Sequence, residues 1–466
     1  MIPKLPIDCI NNILEYLEDK VSLHSCLLVN RLWCRISVVI LWRNIWDFKQ
    51  FGSTQIIRTL ITCLPNKSKE TLFKNKVTSI PTSRTPLFNY ASFLEVVSIP
   101  RLLYVNRLYN NIYNETNLTT FLITKEILKM FMKQIPSLKR LDFCLIDDDD
   151  ILDSQSYYIK VISISSKFID FPGAKEFVNF PGAKDCLRNL LELKCSSEID
   201  SNFFYQLSKI CHNIQSLKVI LFDQISIELE NLILSQKKLK SLSIKKCNYD
   251  DNNIKKDAKM WSKIKIQHIT FSNLEILKLI SNRRGNVNML IKFLENNGKN
   301  LKEFYVNECN NSLNSTIADN CLNLKSLYTL IPVDGIEILK MNFNNCQQLE
   351  FFITLCEDSY LEGNQLLEIV VNHSPKSFHK LVLHSYLDVK LDSKVLESFF
   401  IGWKDRISYK SFSFIISEII FMNNNKNRKL IRKYKNLGVI KEFEIITYSG
   451  DAVNFSDLSL LRLFKI

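Results

Sequence analysis

Apolar residues recur along this chain in two rhythms. Over the first 46 residues the rhythm is helical: Ile10, Ile13, Leu14 and Leu17 fall on one face. Leu5-Pro6 precede them, and Pro6 suits a helix start, where its missing N–H costs nothing. Ser22 is placed to cap a second short helix carrying Leu23, Cys26 and Leu27. Asn30 is placed to cap a third, with Trp33, Ile36 and Ile40 along it and Trp42 beyond. Three short helices bury too little against one another to fold unaided. Part of this surface is therefore expected to dock on the rest of the chain or on a partner.

From Leu138 onward the rhythm changes to a short phrase, apolar-x-x-apolar-x-apolar. It reads Leu138-x-x-Leu141-x-Phe143, Ile214-x-x-Leu217-x-Val219, Leu274-x-x-Leu277-x-Leu279 and Leu301-x-x-Phe304-x-Val306, and continues to Ile440-x-x-Phe443-x-Ile445. Most successive phrases begin 23 to 29 residues apart, the spacing of leucine-rich repeats. The last two apolar residues of each phrase alternate inward on a short strand. Segments such as Asn202–Ile210, Met289–Glu295, Ile336–Phe343 and Leu366–Val371 read as helices between phrases. A unit of one helix and one strand buries its apolar edge only by stacking on its neighbours. The expected architecture is α/β: an N-terminal three-helix module at residues 1–46, connecting helices and loops at 47–135, and a solenoid with a C-terminal cap at 136–466. Its strands run parallel on the concave face and its helices lie on the convex face. Wide gaps after Leu138 and after Leu239 imply an insertion or a degenerate repeat. The duplicated Phe171–Lys175 and Phe180–Lys184 segments read as an extended surface loop.

The N-terminal residues resemble an F-box. The elements that carry the resemblance are Leu5-Pro6, Ile13-Leu14, Leu17, Val29-Asn30-Arg31-Leu32-Trp33 and Leu41-Trp42. The leads Cys211-His-Asn-Ile, Asn320-Cys-Leu-Asn-Leu and Asn345-Cys-Gln-Gln-Leu look like the cysteine-containing repeat subtype common in F-box proteins. Over the whole chain the arrangement is similar to fungal F-box/leucine-rich-repeat proteins. The resemblance implies that the module binds a Skp1-like adaptor and through it a cullin. Leu5, Pro6, Ile10, Ile13, Leu14, Leu17, Leu23, Cys26, Leu27 and Trp33 would be the docking residues. The repeats would then recruit a client protein to a ubiquitin ligase of the Skp1–cullin–F-box type, and the chain itself would not be an enzyme. The rival expectations are a Skp1-bound scaffold that engages no cullin, and a basic solenoid that binds nucleic acid.

Composition narrows these options. Hydrophobic residues make up 46% of 466 and charged residues 23%, a globular balance. Only 10 glycines are present and no Gly-x-Gly-x-x-Gly occurs, which argues against a nucleotide-cradling fold. The 13 cysteines include no C-x-x-C pair, so buried thiols in a reducing compartment are expected, with no metal site and no cofactor. No apolar run reaches a membrane-spanning length, and a cytoplasmic or nuclear location follows.

The net charge of +13 is partly local. Ten lysines face three aspartates between Gln236 and Lys265, and a second cluster spans Lys426–Lys435. Solvated surface is the expected role, with nucleic acid a lesser one. The six scattered histidines form no catalytic constellation. His379 and His384 fall on opposite faces of a strand. Outward strand positions shift from basic to aromatic and aliphatic. Lys278, Tyr305, Tyr328, Ile353 and Val382 form the stripe expected to meet a client.

Overall fold

The computed structural model describes residues 6–17, 19–47, 53–78, 80, 86–112, 116–144, 176–222, 225–246, 265–280, 287–356, 360–385, 391–406, 410–417 and 425–446. Contacts divide the chain into two compact units, one running to Ile214 and the other from Gln215. Both are leucine-rich-repeat-type α/β solenoids, in which parallel strands alternate with helices.

The first unit opens with three helices, α1 (Ile7–Glu15), α2 (Lys20–Cys26) and α3 (Arg31–Arg43). Asn30 caps α3 as its sequence suggests, accepting from the amides of Leu32 and Trp33 at 2.9 and 3.0 Å. The cap of α2 differs from the expectation. Asp19, not Ser22, accepts from the amides of Val21 and Ser22, and the Ser22 hydroxyl donates to the same carboxylate. A carboxylate satisfies two orphan amides and favours the positive helix end, an advantage a hydroxyl lacks. Helices α4 (Ser53–Cys63), α5 (Asn66–Lys74), α6 (Ile99–Ile112) and α7 (Asn117–Gln134) follow.

Three strands belong to this unit: β1 (Val96–Ser98), β2 (Arg140–Asp142) and β3 (Glu192–Ser196). They pair in chain order, with Val97 beside Leu141 and Leu141 beside Leu193. Strand β1 lies within the segment expected to be a connector. It carries the same phrase, Leu94-x-x-Val97-x-Ile99, with all three side chains buried. Direct pairing of β2 with β3 decides the nature of the wide gap after Leu138. Among the described residues no strand stands between β2 and β3 in the sheet, which fits an insertion and not a degenerate repeat.

The second copy of the duplicated motif leads into α8 (Ala183–Leu187) rather than forming a surface loop. Phe180 is buried and Gly182 takes φ +87°. A Cβ there would collide with the carbonyl oxygen of Met132. Glycine is therefore required twice over, by conformation and by space. The first copy, 171–175, lies outside the described residues, as does the Asp147–Asp150 run. Helix α9 (Ser201–Ile210) completes the unit.

The second unit alternates β4 (Ser216–Leu221), α10 (Ile227–Leu234), β5 (Ser241–Lys246), β6 (Ile276–Ile280), α11 (Val287–Asn297), β7 (Glu303–Cys309), α12 (Asn311–Asn320) and β8 (Ser326–Leu330). It continues through α13 (Ile336–Asn345), β9 (Phe351–Leu355), α14 (Gly363–His373), β10 (Lys380–His384), α15 (Ser393–Lys404), β11 (Phe412–Ser417), α16 (Asn425–Asn436) and β12 (Ile440–Ile446). Each strand pairs in parallel with the next. The gap after Leu239 is likewise an insertion, because Leu242 lies beside Leu277.

Strand β11 escapes the sequence phrase because its first position is Ser411. Phe414 and Ile416 nonetheless hold the register of Leu381 and Leu383.

Two cores result, one on each face of the strands. Phrase residues such as Leu217, Leu242, Leu277, Phe304, Leu327, Phe352 and Leu381 are fully buried on the helix side. Repeat-end cysteines tie neighbouring units together. The Cys211 thiol donates to the carbonyl of Leu187 at 3.2 Å, and that of Cys346 to the carbonyl of Cys321 at 3.4 Å. Gly298 holds the equivalent place one repeat before Cys321. A Cβ there would lie 2.9 Å from the Cys321 sulfur. Among the described residues no helix is long and apolar enough to cross a membrane.

Candidate functional site

The N-terminal module separates its apolar residues into two classes. Ile10, Leu14, Leu23 and Cys26 are buried with Leu41 in a small core, against which Leu17, Leu27, Trp33, Ile36, Ile40 and Trp42 pack. Of the residues expected to dock an adaptor, four thus hold the helices together. Leu17, Leu27 and Trp33 are half-buried at the rim. Pro6 and Ile13 are exposed, and Leu5 lies outside the described residues.

Sequence reasoning missed the larger exposed set: Ile7, Tyr16, Val21, Leu28, Val29 and Leu32. With Ile13 these are seven of the eighteen exposed large apolar side chains among the described residues. Seven exposed apolar side chains thus fall within 26 residues of chain. Leu28 and Val29 carried a readable signal, since they sit in the turn between α2 and α3, where an apolar side chain has no core to join.

The module is fastened to the first repeat by polar contacts at half-buried positions. The Glu95 amide donates to the carbonyl of Arg43 at 2.9 Å. The Trp46 indole N–H donates to the carbonyl of Val96 at 2.9 Å, and Arg101 donates to the Trp46 carbonyl at 2.6 Å. Arg43 spans Glu15 of α1, at 2.9 Å, and Glu95, at 3.7 Å. The hydrogen bond and charge of Arg43 hold the Glu15 carboxyl below its ordinary pKa. Trp42 lies against Tyr90 with ring centroids 4.4 Å apart. These ties fix the module's orientation on strand β1, which a flexible linker would leave free.

The stripe expected to meet a client is closed. Tyr305, Tyr328, Ile353 and Val382 are buried on the strand face away from the helices, with Leu330, Phe351, Leu355 and Ile415. Tyr360 and Cys309 pack against this second core. Parallel register causes the closure. Lys278, Tyr305, Tyr328, Ile353, Val382 and Ile415 occupy consecutive rungs of one column, so each ring or branched chain covers its neighbour. Lys278 alone among the five predicted residues is half-buried. Its Nζ lies 4.4 Å from the centroid of the Tyr305 ring and 3.8 Å from Glu303. Burial, reinforced by the charge of Glu303, pushes the Tyr305 phenol up and keeps it neutral.

Titratable groups in the repeats are muted by burial. The thiols of Cys186, Cys211 and Cys346 are pushed up to about 12, which removes nucleophilic character at neutral pH. No group of three or more potential metal ligands occurs among the described residues. Lys245 and Lys246, part of the lysine-rich stretch expected to be solvated, are buried on β5. Lys237, Lys238 and Lys240 are exposed, as expected of that stretch, and residues 247–264 lie outside the described residues.

Burial also pushes the His384 imidazole down to about 3. Its unfolded value is about 6.5. Between those values the unfolded chain binds a proton that the folded chain refuses, so stability falls as pH drops through this window and is unaffected above it. At pH 5 the expected cost is about 2 kcal/mol. Urea unfolding at pH 7 and pH 5 should show that loss to be smaller in His384→Gln by about the same amount. Equal losses in the two proteins would contradict the assignment.

No family model matches the chain, and no curated protein matches it in sequence. Among solved structures, a chain of the crystal structure of the Rad7 and Elc1 complex in yeast is 11% identical to this one, with a TM-score of 0.41. The match covers 97% of this chain and 96% of that chain. At that identity no residue role is carried across.

Proposed function

We propose that this protein is the client-recruiting subunit of a Skp1–cullin-type ubiquitin ligase. Its N-terminal module docks a Skp1-like adaptor and its repeats hold a client, while the associated ligase supplies the chemistry. The reading rests on one observation above all: the stretch from Ile7 in α1 to Leu32 at the start of α3 exposes seven large apolar side chains although the module already owns a closed core. The Leu-Pro and Val-x-Arg-x-Trp elements stand in the order an F-box requires. The ties from Arg43, Trp46 and Arg101 to the first repeat favour a receptor, because a client must be held at a set distance from the ubiquitin donor. The client face in this reading is not the Tyr305–Val382 stripe, which is already filled.

The test is co-expression of the full chain with a Skp1-like adaptor, purification through the chain, and blotting for adaptor and cullin. Recovery of both is expected. Adaptor without cullin would replace the ligase reading with that of a scaffold, and recovery of neither would remove the adaptor role.

A further inference from the structure

The last repeat of the second unit carries a groove between its helix and strand β12. Helix α16 has the sequence Asn-Lys-Asn-Arg-Lys-Leu-Ile-Arg-Lys-Tyr-Lys-Asn, with six cations and no carboxylate. Its two faces differ in character. One packs on α15, where Tyr434 lies 5.0 Å from the Phe400 ring, Asn427 bonds Ser393, and Lys433 pairs with Glu397 at 2.8 Å. The other presents Arg428, Arg432 and Lys435, at i, i+4 and i+7, to a groove of about 260 Å³. The groove is floored by Ile431 from the helix and by Phe443 and Ile445 from β12. Among the described residues, no carboxylate pairs with Arg428, Arg432 or Lys435.

We propose that this groove docks an acidic segment of a partner protein, anchored by one or two large apolar side chains. Three observations choose that occupant. First, the face is not a stacking surface for another repeat. Helices α14, α15 and α16 meet through contacts such as Gly402 on Val371, Phe400 on Tyr434 and Ser393 on Asn427, with the Lys433–Glu397 pair at the rim. Here three exposed cations replace them. Second, a further copy of the chain brings its own net charge of +13 and is repelled. Third, the floor is apolar, and its single aromatic ring, Phe443, packs on Phe414 at 6.1 Å. Nucleic acid favours cations over a polar surface with aromatic faces open for stacking. A cationic rim around an apolar floor suits carboxylates flanking a Leu or Phe side chain. The proposal stands whether or not the N-terminal module binds an adaptor.

The experiment uses the full chain and a fluorescein-labelled peptide of about ten Glu and Asp residues around a central Leu-Phe pair, followed by anisotropy. Saturable binding is expected. Arg428→Glu with Arg432→Glu should weaken it at least about 30-fold, and Ile445→Ser at least about 5-fold. A peptide with Ala-Ala in place of Leu-Phe should also lose at least about 5-fold. The Ile13→Glu and Leu28→Glu changes in the N-terminal module should leave it intact, which separates this site from the adaptor reading. Equal binding of the Ala-Ala peptide would reduce the site to unspecific charge attraction and overturn the proposal. So would displacement of the peptide by a single-stranded RNA of equal charge that binds more tightly. Absence of binding to the full chain would overturn it as well. Binding that then appears on truncation after Ile446 would identify the chain's own residues 447–466 as the occupant.

Discussion

Ile13→Glu combined with Leu28→Glu should lower capture of a Skp1-like adaptor at least about 100-fold while shifting the melting temperature of the chain by no more than about 2 °C. Both side chains are exposed in the free protein, Ile13 by 49% and Leu28 by 83%. Substitution there removes little internal packing, and surface changes of this kind usually stay within about 0.5 kcal/mol of the parent. In a closed interface each glutamate would be buried without a partner, which costs several kcal/mol. Leu14→Ala provides the contrast. Leu14 is fully buried between the helices, and its truncation should cost about 2–5 kcal/mol of module stability. It would therefore weaken capture only through loss of shape. Co-purification with quantified adaptor, alongside thermal melts, distinguishes the two cases. Undiminished capture by the double variant would eliminate this surface as the docking face.

Phe378→Ala should destabilise the second unit by about 3–5 kcal/mol, the largest single loss expected in the repeats. Phe378 opens the phrase that leads into β10, and its ring is 1% exposed. It lies 5.6 Å from Phe343, 6.2 Å from Trp403 and 6.4 Å from Phe412. One side chain thereby joins the helix of one repeat to the helix and strand of later ones. Trp403 is itself held, by its indole N–H on the Lys410 carbonyl at 3.0 Å and by Arg406 over the ring at 4.5 Å. The neighbours are too constrained to collapse into the space left by the ring. In a repeat array the loss is felt chiefly at the adjoining interfaces, so amide exchange should accelerate first in β9, β10 and β11. Phe378→Leu should recover more than half of the loss. A measured cost below about 1 kcal/mol for the alanine variant would show that the aromatic cluster does not couple the repeats.

Most helices and strands were legible because the phrase writes one strand with a buried edge and the intervening residues write one helix. The helices expected at Asn202–Ile210 and Ile336–Phe343 occur as Ser201–Ile210 and Ile336–Asn345. Strand β11 was hidden by a serine at one position of its phrase. Strand β1 was hidden because its phrase, Leu94-x-x-Val97-x-Ile99, stands well before the regular series begins. The candidate site was legible by motif but not by exposure. The element Val29-Asn30-Arg31-Leu32-Trp33 located the module, yet no spacing rule said that Leu14 and Cys26 would face inward while Leu28 and Val29 faced out.

The strand column shows the division most plainly. Alternation along each strand was enough to place Tyr305, Tyr328, Ile353 and Val382 on the face away from the helices. Whether that face lies open depends on register with neighbouring strands and on what reaches across it. Both are long-range facts, and tertiary structure closed the face with Tyr360, Cys309 and the stacked side chains themselves. The sequence alone determined the periodic content: three amphipathic helices, then units of one helix and one strand that are stable only when stacked. Local spacing sets which side chains share a face, and that suffices for such content. The tertiary structure alone decided which apolar residues are consumed by the fold and which remain for a partner. Burial is settled by the element that packs opposite, and that element lies tens of residues away in the chain.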